Sequence, residues 1–261
     1  MAKKKIRQYG LQLSFPEAGD YILGGESKLG REVLQESGQW DGYLPVMEYQ
    51  NLGSETMACT AFGTLSAVEI LIKKLYGNEQ NFSDRWLAWC AGITQQGASP
   101  HQTAEYLRKT GSPFQERWDY TPDINTWEKF YETPPAKLID YAKEDFAYNF
   151  KHEYVQPFEA DIKTALKFSP LGFSVYAWVD EEGVFYKPRG ATDNHWCVCY
   201  GWVVGEDGKT YWRIFDSYDN SHKLYADLPM IVKRFEITKK DVKKGKSWSD
   251  LLCEWFGFNC K

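Results

Sequence analysis

No run in this 261-residue chain reaches the roughly 18 consecutive apolar residues that a membrane-spanning helix needs. The basic start, Lys3-Lys4-Lys5-Ile6-Arg7, is not followed by the apolar core of a secretory signal, so no export address and no membrane partner are expected. Positive charge is not in excess either. The formal net charge is −5, which removes the global electrostatic case for nucleic acid, and the basic runs at 3–7 and 239–246 read as solvated ends. Cysteine is sparse: six residues, at 59, 90, 197, 199, 253 and 260, form no Cys-x-x-Cys pair, which excludes a disulfide scaffold and favours a reducing, cytoplasmic compartment. Only Cys253 and Cys260 are close enough in sequence for a local pair. Repeats and low-complexity segments are also missing, so solenoids and disordered linkers are excluded.

What is present is core material. Hydrophobic residues make up 43% and aromatics 16%, enough for one large domain or two small ones. The first half, to about Lys143, carries helical periodicity. Ala61, Leu65, Val68, Ile72 and Leu75 recur at steps of three and four after Cys59, with Gly77-Asn78 as punctuation. Further helical segments are expected at 83–92, 101–109 and 135–142, with a short helical patch near 31–36. The second half turns to β-branched and aromatic runs at 173–179, 195–204 and 211–215. Gly205-Glu206-Asp207-Gly208-Lys209 should join the last two as an antiparallel hairpin, and folding it symmetrically brings His195 near Asp216.

Alone, a cysteine on a helix is usually a small buried hydrophobe. Cys59, however, opens its helix, where unpaired amide hydrogens and the positive end of the dipole favour a thiolate. His195 follows 136 positions later, one of only four histidines, and Asp216 can meet its ring. His195, Cys197 and Cys199 share a strand face and offer a zinc-like set, but packing thiols explain them better, so no metal is expected.

A cysteine at a helix start in a helical half, with a histidine and an acid on adjacent strands of a β half, resembles the papain-like cysteine peptidases. In that family the histidine lies about 130–150 residues after the nucleophile. Cys59-Thr60-Ala61-Phe62 is similar to its Cys-x-x-Phe pattern, and Asn194-His195-Trp196-Cys197-Val198 to its Asn-His-Ala-Val strand. Tyr211 to Ser217 resembles the strand that delivers Asn-Ser-Trp, with Asp216 at the orienting Asn and Tyr218 near the shielding Trp. Gly97-Ala98-Ser99-Pro100 is similar to the Gly-rich edge that binds substrate backbone, and 162–175 to a helix-then-strand segment; coverage runs from about Tyr43 to Phe235. The chain departs from the family at Met57-Ala58-Cys59-Thr60, which replaces Gly-Ser-Cys-Trp, and at Gln50, which stands nine residues before Cys59 where six is usual. The pattern is closest to divergent prokaryotic or viral members, which adds a virion-associated location to the cytoplasmic one.

The resemblance implies an α+β, papain-like fold with a central nucleophile helix in a helical left half and an antiparallel β-sheet or barrel in the right half. It implies peptide-bond hydrolysis of a peptide or protein substrate through a thioester, with Cys59, His195, Asp216 and Gln50 catalytic, and Gly97, Ala98, Asn194 and Tyr218 contacting substrate. No cofactor is needed. Residues 1–42 read as an N-terminal extension, propeptide-like or packed on the domain, 43–246 as the peptidase domain, and 247–261 as an amphipathic tail suited to a protein partner. Two other readings stay open: an amidase or transferase using the same triad, and a catalytically silent binding or structural protein on this fold.

Overall fold

A computed structural model describes residues 9–25, 29–45 and 48–240. The 247–261 tail, the Cys253/Cys260 pair, the 3–7 run and most of the 239–246 run lie outside the described residues. Among the described residues, no helix is long and apolar enough to cross a membrane.

Local signals set the first half. Helix α1 (Cys59–Tyr76) ends where Gly77 turns left-handed and donates its amide hydrogen to the Lys73 carbonyl. Ser83 caps α2 (Asp84–Cys90) by accepting from the Trp86 amide, and Ser99 caps α3 (Pro100–Thr110), with Pro100 in the first turn. A short α4 (Trp127–Phe130) starts at a Thr126 cap, and α5 (Leu138–Asp145) begins later than periodicity suggests because Pro135 and Ala136 form the turn that precedes it. The expected helical patch at 31–36 does not form. The amides of Leu34 and Gln35 bond instead to the Lys167 carbonyl, a partner no local pattern reveals.

The second half contains β1 (Tyr148–Val155), α6 (Glu159–Leu166), β2 (Leu171–Val175), β3 (Asp180–Glu181), β4 (Val184–Phe185), β5 (His195–Val204), β6 (Thr210–Asp216), β7 (Ser221–Tyr225) and β8 (Val232–Lys239). These strands form one sheet in the order β1-β8-β2-β5-β6-β7-β4-β3. All pairs are antiparallel, as expected, except the short β4 with β7, which makes the sheet mixed at that edge. The strand expected at 173–179 stops at Val175, because the next amides leave the ladder: Tyr176 donates to the Tyr225 hydroxyl and Ala177 to Asn194 Oδ1.

The halves meet along α1 and β5. Residues from Cys59 to Ile72 are all buried, as befits a helix packed on every side. A Cβ on Gly63 would come within 2.9 Å of the Trp196 ring, so glycine there lets the helix lie close to the strand. Leu65, Val68 and Ile72 of α1 share one core with Phe173, Val198 and Phe235 of the sheet.

The N-terminal residues wrap both halves. Leu11 bridges Ala98 in parallel, Ile22 bridges Tyr154, and the Trp40 amide reaches the Tyr200 carbonyl while its fully buried indole joins the main core.

Beneath α1, Glu69 packs with Glu48 and Asp84, all three buried. Burial pushes Asp84 up to about 8, and burial plus the Asp84 charge pushes Glu48 and Glu69 well above the carboxylate range. The folded state therefore holds protons that the unfolded chain releases, and this contribution to stability is full below the ordinary Asp value of 3.8 and lost as pH rises toward about 8. Asp84→Asn should flatten that decline: urea midpoints at pH 5 and pH 8 should lie closer together than in the wild type. An unchanged gap would contradict the assignment.

Candidate active site

Cys59 is the first residue of α1, fully buried, and no side chain caps this helix end. Its first-turn amides are thus available to a nearby negative charge. Burial pushes the thiol well up, and the Asp216 and Glu55 charges push the same way, against hydrogen bonds from the backbone amides of Trp196 and Thr60. The contact with the Trp196 amide sets the sulfur against the start of β5, next to His195.

His195, the first residue of β5, is fully buried, and its Nε2 is 2.7 Å from Asp216 Oδ1. An ionised carboxylate only accepts, so Nε2 carries a proton, and in the neutral ring Nδ1 then presents the lone pair. Nδ1 is buried without a hydrogen-bond partner among the described residues. The hairpin forms with the expected turn, but it closes with Val204 opposite Thr210, and the bulge between Cys199 and Gly201 recovers only one residue of register. Val198 pairs with Phe215, which leaves Asp216 level with Cys197 rather than His195. The carboxylate reaches both: the Cys197 thiol is 3.7 Å from the same oxygen.

Asp216 also accepts from the Tyr218 amide at 3.0 Å and from Lys223 Nζ at 2.7 Å. Burial alone would raise its pKa, but His195 and Lys223 outweigh this and hold it well below the carboxylate range. Sequence reasoning missed Lys223; the available signal was a lysine inside a short strand next to Asp216. It also missed the aromatic cage around His195, in which Tyr9 lies 5.2 Å, Trp178 5.8 Å and Tyr218 6.2 Å from the imidazole, ring to ring.

Gln50 is fully buried close by. Its amide donates to the Ser217 carbonyl at 2.8 Å, and the Thr56 hydroxyl donates to the Gln50 carbonyl, closing the extra residues 51–56 into a loop that returns to Cys59. The Gln50 carboxamide faces the Tyr9 carbonyl at 3.5 Å. Gly97 and Ala98 form an edge that the chain itself covers: Ala98 donates to the Gly10 carbonyl at 3.0 Å, and Gln12 donates to the Ala98 carbonyl at 2.9 Å. Gly10 (φ +102°) and Gly97 (φ +87°) are left-handed and in such close contact that a Cβ on Gly97 would run into the Gly10 carbonyl, and one on Gly10 into that of Met57. Leu11 packs with Cys59, Tyr154, Trp196 and Ile231. The Asn194 carboxamide oxygen accepts from the Ala177 amide at 2.8 Å and braces the turn after β2. The Tyr218 hydroxyl donates to Glu55 at 2.8 Å.

His195, Cys197 and Asp216 place donor atoms within 4.8 Å of one another, the geometry a metal ion would need. Here Asp216 Oδ2 carries the Lys223 ammonium and Oδ1 receives His195 and the Tyr218 amide, so the carboxylate is already saturated and a cation would sit beside an ammonium. Cys199, the third member expected on that face, points its thiol at the Gly201 carbonyl instead.

No protein-family model and no curated protein matches the sequence. Solved structures do match the fold. Xylellain, a cysteine protease from Xylella fastidiosa, superposes with a TM-score of 0.64 at 17% identity, over 92% of this chain and 98% of that one. The bromelain protease from Ananas comosus gives 0.60 at 18%, over 75% and 96%. The cysteine protease and lectin-like domains of Cwp84, from Clostridium difficile, give 0.61 at 18%, over 77% and 51%. The chain has the papain-like cysteine protease fold.

Proposed function

We propose that this protein is a cysteine peptidase that cleaves peptide bonds with Cys59 as nucleophile, His195 as base and Asp216 as the group orienting it. The observation that supports this most strongly is the buried His195–Asp216 pair, which leaves Nδ1 as a free base beside the helix start that bears Cys59. Nδ1 takes the thiol proton as sulfur attacks the peptide carbonyl. The oxyanion is met by the Cys59 amide and the Gln50 carboxamide, each such donor contributing on the order of 3 kcal/mol. His195 then protonates the leaving amine, and a thioester remains. Water activated by His195 hydrolyses it and restores the thiol. The Gly97-Ala98 edge holds substrate backbone, and Tyr218 screens the His195–Asp216 bond.

In the described state the site is latent. Tyr9 to Leu13 lies where substrate would lie, with the Tyr9 carbonyl at the Gln50 carboxamide, the Gly10 carbonyl on Ala98 and Leu11 over Cys59. These contacts support a blocking role for the N-terminal extension and fit a thiol that burial pushes well up. The test is peptide turnover by protein whose segment has been displaced, with products identified by mass spectrometry and Cys59→Ala as control. New peptide termini that depend on Cys59 support the peptidase; amide transfer without them favours the transferase reading; no turnover on any substrate favours the silent one.

A further inference from the structure

Lys233 lies on β8 with no exposed surface, and its ammonium makes no hydrogen bond among the described residues. It rests over the Tyr154 ring, 3.5 Å from the centroid. An ammonium buried without a hydrogen-bonded counter-ion is costly, and burial brings this one down to about 7 against the pull of the Asp20, Glu105 and Glu153 charges. Lys233 lines a cavity of about 800 Å³ between the N-terminal residues 19–21, α3, β1 and β8. Of the three carboxylates that line the same cavity, Glu105 pairs with Arg108 at 2.7 Å and Glu153 with Arg234 at 2.8 Å, while Asp20 faces the His101 ring at 3.6 Å. Lys151 at the rim is paired with Glu236 at 3.1 Å. Lys233 is therefore the cation of this lining whose donors meet no acceptor among the described residues.

His152 adds a second requirement. Its Nε2 is 3.0 Å from Glu105, which as a carboxylate can only accept, and burial holds the ring's pKa down to about 3. Nδ1 is then a lone pair, buried and without a hydrogen-bond partner among the described residues. The wall thus offers the Lys233 ammonium and the His152 lone pair, with His101 Nδ1, 3.6 Å from Asp20, a second ring nitrogen without a hydrogen-bond partner among the described residues.

We propose that this cavity is a binding site for a small oxyanion that also carries a hydroxyl, such as hydrogen phosphate or a hydroxycarboxylate, with the anionic oxygen on Lys233 and the hydroxyl donating to His152 Nδ1. The site is separate from Cys59 and does not rest on the peptidase reading. Calorimetric titration of the full chain at pH 6.5 and constant ionic strength, with phosphate, citrate, sulfate and acetate as probes, tests it. Phosphate, citrate or both should bind, with sulfate and acetate at least tenfold weaker; phosphate alone identifies a phosphate ligand, and citrate alone a hydroxycarboxylate. Lys233→Met should weaken binding at least tenfold. Should that variant fail to fold, His152→Phe provides an independent check by erasing the preference over sulfate. No binding of any probe, equal binding of all four, or binding indifferent to both substitutions overturns the proposal.

Discussion

Leu11→Asp should raise peptide turnover roughly 30- to 150-fold over the wild type. Leu11 is 6% exposed and packs with Cys59, Tyr154, Trp196 and Ile231. Losing that burial removes about 2–3 kcal/mol of docking free energy, and every 1.4 kcal/mol is about a factor of ten in the open population. A carboxylate in that apolar site adds to the effect, because it must be desolvated without a partner. Gly10→Val reaches the same end by another route, since its side chain would strike the Met57 carbonyl. Leu11→Met, similar in volume, should stay latent. Initial rates on a fluorogenic peptide mixture compare the four proteins. Equal rates in all of them, with folding intact by circular dichroism, would show that the segment does not gate the site.

In the Leu11→Asp background, His195→Ala and Asp216→Asn should each lower kcat by about 10³- to 10⁴-fold, the range for losing a member of such a triad. The two substitutions act differently. His195→Ala removes the base, whereas Asp216→Asn keeps the shape but can present a donor to Nε2 and so favour the wrong tautomer. Asp216→Asn also takes one of two carboxylates from the Lys223 ammonium, which stands 2.7 Å from Asp216 and 2.7 Å from Asp219 at 6% side-chain exposure. Because Asp219 stays, the cost should fall below the roughly 3 kcal/mol of a buried charge left without a partner. Adding Lys223→Met should recover part of the stability and none of the activity. If Asp216→Asn keeps activity within tenfold, the carboxylate has no orienting role.

The elements that carry this site were readable because their signals are local. The three-four spacing after Cys59 and the Gly77 stop delimit α1, and the β-branched and aromatic run delimits β5 from His195 to Val204. The Gly205–Lys209 turn joins β5 to β6 as expected, and this alone put His195 and Asp216 within reach of each other. What stayed hidden depends on which distant segment lies alongside. Lys223 reaches Asp216 because β7 pairs with β6, Ile214 opposite Lys223, and nothing in the Ser221–Tyr225 run names its neighbour. The bulge between Cys199 and Gly201 shifts the register by one residue, and the glycine that flanks it does not by itself say that a bulge forms there. Tyr9 and Leu11 arrive at the cleft through backbone bonds to Ala98 and the Gln12 side-chain bond to Gly97, far along the chain, so no periodicity in residues 9–13 marks them as occupants.

The most direct test of the account is the pH dependence of Cys59 alkylation, followed by peptide mass spectrometry in Leu11→Asp protein with and without His195→Ala. An activated pair predicts modification of Cys59 well below pH 7, ahead of the other cysteines, and a return to ordinary thiol behaviour near pH 8.5 when His195 is removed. The wild type should remain slow across the range while its segment stays docked. Cys59 that reacts only near pH 8.5 in the open protein, with or without His195, would contradict the account and leave a papain-like fold without its chemistry.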